Sequence, residues 1–378
     1  MKIRRLLATV LALAVGGGFT LAVVPAPLPR LRPVTVKTPV PPPLPGVVAP
    51  AFAVSYDGHL IAGRRVTTLR PTASTIKVLT ALAVLREGLP LAQRIVVTAG
   101  EAAAARAGQS LGHGELPLVA GETLTVGDLL VAMLLPSADD AADLLAETSP
   151  GGKQGLLRRM QSIAATLRLG LPPLADPSGL SPLDRLSPLG EVRLGWAALD
   201  NATLAGIVST ATAELSQGQS VLSLNRLLGS YPGAIGVKTG ETVPAGYVLL
   251  FAARRAGTVV GVVMGEPSDA RRFRDARRLL DWAFAWSRGH TLPAGSRAGS
   301  VAWPGGFVQR LRTAAPLSTP SGGVLRLHLV SPRLLARGGK VGYASLGGHR
   351  VAILASPAPL WLRLWTLAPF ASGRGPRL

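Results

Sequence analysis

Three short peptides occur in one order along the chain, 63 and 101 residues apart: Ser74-Thr75-Ile76-Lys77, Ser137-Ala138-Asp139 and Lys238-Thr239-Gly240. They read as S-x-x-K, S-x-(N/D) and K-T-G, the three walls of a serine acyl-transfer site with lysine in place of histidine as base. Ser and Lys three apart share one face of a helix, so the first peptide calls for a helix start that looks into a cleft. The second calls for a corner with its hydroxyl free, and the third for an extended strand along the same cleft. Any fold that carries all three must bring these elements to one place. Singly each has an ordinary reading: Ser74 as an N-cap with Lys77 at the surface, Ser137 and Asp140 as caps, Lys238 as a charged strand end before a glycine turn.

Local patterns agree with those demands. Phe52-Ala53-Val54-Ser55-Tyr56 and Leu60-Ile61-Ala62 flank Asp57-Gly58, a hairpin signal. Ile76, Leu79, Leu82 and Leu85 recur at helical spacing after Ser74, which places Ser74 at the first turn of a buried helix, where backbone N–H groups would face an oxyanion. Leu129 to Leu134 reads as another helix, and Pro136-Ser137 as a helix-to-helix corner. Gly246 to Phe251 and Val259 to Met264 read as central strands. Hydrophobic residues make up 48% of the 378, enough for a large α+β domain with a smaller second one, and there is no cysteine to build a disulfide or thiolate site.

Both termini differ from this middle. Lys2, Arg4 and Arg5 precede the uncharged run Leu6 to Val24, read as a signal peptide or signal anchor over residues 1–24, with the rest of the chain exported. Ten prolines between Pro25 and Pro50 read as a stiff linker over 25–50 that forms no helix or sheet interior.

With these motifs in hand, the chain resembles the low-molecular-mass penicillin-binding proteins, serine-type D-alanyl-D-alanine carboxypeptidases, over about Ala51 to Trp286. Leu134-Leu135-Pro136-Ser137, Asp176-Pro177-Ser178-Gly179-Leu180, Ala245-Gly246-Tyr247 and Arg277 to Phe284 add to the likeness. The resemblance implies a penicillin-binding/β-lactamase-like transpeptidase fold: a five-stranded antiparallel sheet with helices on its faces, a helical lobe, and a cleft between. It implies a catalytic domain at 51–290 that removes terminal D-Ala from peptidoglycan stem peptides and takes β-lactams as covalent inhibitors, without metal or cofactor. A D,D-endopeptidase and a weakened wall-binding protein are the alternatives. By the same resemblance Ser74 is the nucleophile, Lys77 the base, neutralised by crowding from Lys238 and by burial, and Ser137 the proton relay. Lys238, Thr239 and Gly240 hold the peptide carboxylate with help from Arg272, or from Arg271 shifted into its place. Backbone N–H groups of Ser74 and Glu241 form the oxyanion hole.

Two residues depart from the family pattern. Asp139 stands where asparagine is usual; ionised, it only accepts hydrogen bonds and favours the charged lysine, the wrong form for a base. Glu241 puts a carboxylate beside a carboxylate-binding site unless its side chain turns away. Gly108-Gln109-Ser110-Leu111-Gly112 fits a nucleophile elbow but follows an Ala-rich helix where a strand is needed. The five histidines have no ligand spacing, so no metal site is expected. No glutamate lies between Glu147 and Glu191 to drive rapid deacylation in the manner of a class A β-lactamase.

Beyond Gly289 the texture changes. Residues 291–378 hold 11 Arg or Lys and no Asp or Glu, and the alternation in Val324 to Leu329 reads as a small β-domain over 291–356. An apolar, basic tail, 357–378, carries Trp361, Leu364 and Trp365. The formal charge of +20 would suit nucleic acid, yet no groove-reading or base-stacking element accompanies it. An anionic membrane or wall polymer fits the export signal.

Overall fold

The structure is a computed structural model. It describes residues 10–15, 18–23, 30–36, 42–110, 114, 116–289, 291–303, 306–318, 323–329, 335–336, 338–346 and 349–360. The chain divides into two compact units, residues 42–286 and residues 1–41 with 287–378.

The larger unit is built on five antiparallel strands: β1 (Ala51–Tyr56), β2 (His59–Arg64), β3 (Ala234–Thr242), β4 (Gly246–Arg254) and β5 (Thr258–Glu266), in the order β3-β4-β5-β1-β2. Asp57 and Gly58, both at positive φ (46° and 83°), close the β1–β2 hairpin, as Asp-Gly turns do. β4 and β5 are buried on both faces, and alternate residues feed two cores. Phe52, Val54, Leu249, Phe251 and Val263 pack with Phe273, Leu279, Leu280 and Trp286 of the long helix Asp269–Gly289. Ala53, Leu250, Val260 and Val262 face the helical lobe.

That lobe comprises α1 (Lys77–Glu87), α2 (Ala99–Ser110), α3 (Val126–Leu134), α4 (Asp139–Thr148), α5 (Gly152–Thr166), α6 (Pro188–Asp200) and α7 (Ala202–Val208); the long helix is α8. α1 is buried nearly all round, so its register is set by packing on every side. α6 lies against β5, and Gly195 makes this possible: a Cβ there would fall 2.7 Å from Val260 Cγ1. The expected α+β fold is borne out. The G-x-S-x-G decoy ends helix α2 with no strand before its serine, as its composition indicates.

The Pro-rich segment corrects the linker reading. Residues 42–50 run along the larger unit: Val47 and Ala49 are buried, Val48 N donates to Asp275 Oδ2 at 2.6 Å, and the Pro42 carbonyl accepts from Trp282 Nε1 at 2.9 Å. Proline forbids ladder donors but leaves carbonyls free to accept, and the apolar residues between the prolines have a core to cover. Farther back, Arg30–Pro33 is an edge strand of the smaller unit, where a missing proline N–H is tolerated. In the expected signal, Val10–Val15 pairs with Gly18–Val23 as a hairpin, not one long helix; three glycines in a row, Gly16 to Gly18, would cost a helix about 1 kcal/mol each. Residues 1–9, 16–17 and 24 lie outside the described residues, and no described helix is long and apolar enough to cross a membrane.

The smaller unit has a six-stranded antiparallel sheet of the strand Arg30–Pro33 with β6 (Arg297–Ala302), β7 (Val308–Thr313), β8 (Arg326–Leu329), β9 (Gly339–Leu346) and β10 (His349–Ala355). Its order is β8-β9-β10-β7-β6 and then Arg30–Pro33. Trp303, Leu311, Leu335, Val341, Ala344 and Ile353 make its core. Buried Gln309 is satisfied there, accepting from Trp303 Nε1 and donating to the carbonyls of Leu335 and Ser356. Trp361, Leu364 and Trp365 of the tail lie outside the described residues.

Removing the docked segment should be costly. Shortening the chain to begin at Ala51, compared with beginning at Pro42, strips Val47 from its pocket and takes the donor from buried Asp275. Urea denaturation should show a loss of about 2–4 kcal/mol, from roughly 1.5–3 for the side chain and 1–3 for the charged hydrogen bond, reduced by residual hydration.

Candidate active site

Ser74 sits in a 3₁₀ turn, Ala73–Ile76, that leads directly into α1. The turn is held from three sides. Thr72 N and Oγ1 both donate to the Asp184 carbonyl. Gly179 lies so close beneath it that a Cβ would come within 2.1 Å of the Ala73 carbonyl. Gly240 of β3 lies above it, where a Cβ would be 3.1 Å from Ser74 N and 3.0 Å from Thr72 O. The glycine of the third motif therefore lets the strand touch the backbone of the Ser74 turn.

Lys77 is fully buried, one turn on from Ser74. Its three donors have three acceptors: Ser74 Oγ at 2.8 Å, the Ser178 carbonyl at 2.9 Å, and the Asp139 carboxylate. This is the pattern of an ammonium ion. Loss of one proton would leave two N–H groups for Asp139 and Ser178 and turn the lone pair towards the Ser74 hydroxyl. Asp139 opens α4, its N–H bound to the Gly114 carbonyl, and Ser137 precedes it at a positive φ of 73° in the corner after α3. Among the described residues the Ser137 hydroxyl has no hydrogen-bond partner.

Lys238 and Thr239 are buried on β3, with Lys238 Nζ donating to the Thr239 carbonyl at 3.0 Å. Burial, then the charge of Lys77, push the Lys238 ammonium well below the usual lysine range; Arg272 adds to this and Asp139 opposes it. The expected crowding thus exists, but the lysine it depresses is Lys238, while Asp139 sits on Lys77. Arg272 is also repositioned. Its Nη1 donates to the Gly240 and Val248 carbonyls, 2.9 and 3.3 Å away, and its Nη2 pairs with Asp269. These bonds brace the strand that carries Lys238. Glu241 is exposed and its carboxylate holds the Tyr247 hydroxyl, raising that phenol above its ordinary range.

Three contributors carried no chemical signal in the sequence. Ser178 acts through its carbonyl, which any residue could supply; its loop is tied by Asp176, whose carboxylate accepts from Ser178 Oγ, Gly179 N and Leu180 N. Thr75 Oγ1 lies 2.8 Å from the Thr72 carbonyl and 2.6 Å from Glu191 Oε1 of α6. One hydroxyl proton cannot serve two acceptors, so a protonated Glu191 supplies the second: Glu191 to Thr75, Thr75 to Thr72. Burial does push the Glu191 carboxyl up, to about 8. Glu191 is fully buried. Its position after a serine-proline cap reads in sequence as a plain first-turn acid. Among the described residues no cluster of His, Cys, Asp or Glu has the makings of a metal site.

The family described as D-alanyl-D-alanine carboxypeptidase matches residues 51–268. Among similar curated proteins, a D-alanyl-D-alanine carboxypeptidase of Streptomyces sp. strain K15 is 30% identical over 246 residues, spanning 60% of this chain and 84% of that one. One from Mycobacterium tuberculosis is 33% identical over 244 residues, spanning 61% and 79%. Among solved structures, the Streptomyces K15 DD-transpeptidase superposes with a TM-score of 0.60 at 28% identity, covering 65% of this chain and 100% of that one. The Mycobacterium tuberculosis carboxypeptidase structure gives 0.59 at 30% identity, covering 66% and 96%.

Two outcomes are expected. Asp139→Asn removes the anion from the Lys77 ammonium, so the rate on a D-Ala-D-Ala peptide should rise near pH 7 and the acidic limb of the pH–rate profile should move to lower pH. An unchanged profile would show that the carboxylate does not govern the base. Glu191 has a linkage signature in stability. With its folded pKa raised, its proton is bound in the folded chain and released on unfolding between the ordinary carboxylate range and about 8. Its contribution is thus whole in acid and lost as pH rises through that window, by about 1.4 kcal/mol per pH unit. Denaturation across pH 5 to 8 should show a flatter dependence in Glu191→Gln, whose amide can still donate to Thr75.

Proposed function

Since the chain belongs to the D-alanyl-D-alanine carboxypeptidase family, serine hydrolases of cell-wall metabolism, we propose that Ser74 is its acylated nucleophile and Lys77 the base that activates it. The observation that carries this reading is the 2.8 Å contact between Lys77 Nζ and Ser74 Oγ, in a setting where the lysine's other partners are fixed. Neutral Lys77 takes the Ser74 hydroxyl proton as Oγ bonds to the carbonyl carbon of the penultimate D-Ala. The oxyanion forms against the backbone N–H groups of Ser74 and Glu241. Ser137 relays a proton to the departing amine, so terminal D-Ala leaves neutral at nitrogen and an acyl-enzyme remains. Water then completes the hydrolysis with Lys77 again accepting a proton.

Lys238 and Thr239 receive the terminal carboxylate of the stem peptide. A depressed lysine suits this role, because the anionic substrate restores the charge that burial and Lys77 disfavour. Binding and protonation of Lys238 then reinforce one another. Gly240 keeps the strand flush with the Ser74 turn, and Arg272 keeps it in register. The proposal extends to place: the basic, apolar N-terminus directs the chain out of the cytoplasm, where its basic smaller unit meets an anionic surface.

The test is covalent trapping. A penicillin should acylate the protein on the tryptic peptide that contains Ser74 and leave slowly, with Ser74→Ala taking no adduct. Mass spectrometry locates it; an adduct on another peptide, or none at saturating drug, would remove the serine reading.

A further inference from the structure

Almost all of the chain's net charge belongs to the smaller unit. Residues 1–41 and 287–378 hold 18 Lys and Arg and no Asp or Glu, whereas residues 42–286 hold 22 against 20. A stretch with no acid has no internal counterion, so each folded cation there repels its neighbours.

Strand register sorts these cations onto one face. Lys340 of β9 pairs with Leu354 of β10, Leu354 with Arg312 of β7, and Arg312 with Arg297 of β6, one continuous row across four strands. A second row joins Arg310 to Ser300 and Ser300 to Arg32. A third joins Arg326 to Ser345 and Ser345 to Arg350. Residues of alternate parity, Leu311, Val341, Ala344, Val351 and Ile353, fill the core, so these rows point away from it. The seven arginines and lysines in the rows are all exposed. Arg350 lies 5.1 Å from the Tyr343 ring, which stacks on His328 at 4.4 Å, so even the aromatic part of the face is capped by a cation.

Directly opposed like charges weaken a sheet; Arg312 faces Arg297 in this way and donates Nη1 to the Gly295 carbonyl, with no acid in the unit to neutralise either. We propose that this face of the six-stranded sheet is a docking surface for a linear phosphodiester polymer of the cell envelope, a deepening that rests on the cell-wall reading above. Arginine predominates over lysine in the rows, and the guanidinium fork matches two oxygens of one phosphate. Shape selects a flexible chain over a membrane. Adjacent strands rotate by about 20–25°, so across six strands the sheet normal turns by roughly 100°. A plane can touch only part of such a face, while a flexible polymer can follow the rows from Arg32 to Arg326.

The experiment compares three full-length proteins: wild type, a face variant (Arg310→Gln, Arg312→Gln, Arg350→Gln) and a control variant (Arg86→Gln, Arg94→Gln, Arg106→Gln) with exposed arginines of the larger unit removed. The probe is long-chain inorganic polyphosphate, titrated over a salt series. The face variant should bind at least tenfold more weakly. Its dependence of log K on log salt should be shallower by about 2, roughly 0.7 per lost contact, and the control should match wild type. Equal weakening of both variants would overturn the proposal. So would tighter binding of wild type to phosphatidylglycerol vesicles than to polyphosphate, lost in the face variant, since the partner would then be a membrane. Hydrolysis of a soluble D-Ala-D-Ala peptide is followed in parallel and should be equal in all three. A failed docking result with intact hydrolysis leaves the carboxypeptidase reading standing, and absent hydrolysis in wild type counts against that reading alone.

Discussion

A single buried ammonium ties the reacting part of this protein together. Removing a charge from water is expensive unless every donor finds a partner, and Lys77 finds one in each of three elements: the Ser74 turn, the start of α4 and the Ser178 loop. The helix that carries it, the corner after α3 and the loop organised by Asp176 must all be in place before that charge is accommodated. Catalytic geometry and folding thus share one condition. The site is formed in the folded chain because the fold is incomplete without it.

Around this ion the unit is unusual in how it handles acids. Asp184, Glu191 and Glu266 are all buried, and burial raises their carboxyls to about 6, 8 and 7. At pH 7 Glu191 stays largely protonated and Glu266 is divided between its two forms, while Asp184 is mostly ionised. Asp139 is the carboxylate that pairs with Lys77, and its position at the first residue of α4 gives it the additional favour of the helix N-terminus. Asp139 is therefore electrostatically comfortable at this position.

Much of the site was legible because its chemistry needs side chains at fixed spacing. Ser74 and Lys77 had to share a helix face, Asp57-Gly58 had to turn, and Gly240 had to let two backbones meet. What stayed hidden acts through the backbone or through burial. A carbonyl such as that of Ser178 has no residue signature, and Glu191 looks like any acid near a helix start until packing removes its water. Arg272 was found as a residue but not in its geometry, since sequence spacing does not say whether a guanidinium points at a ligand or at the strand behind it. The prolines of residues 25–50 announced an extended backbone; that Val47 and Ala49 had core to cover depends on α8, more than two hundred residues away.

The near balance of 22 cations and 20 anions in residues 42–286 has a kinetic meaning. A negatively charged peptide approaching this unit meets no broad attractive field, and the local charges of Lys77 and Arg272 are screened beyond a Debye length of about 8–10 Å. Encounter is then set by diffusion and orientation instead of steering. With Lys238 in its proposed role, discrimination between peptide ends falls to the last few ångströms, where a free carboxylate either reaches it or does not.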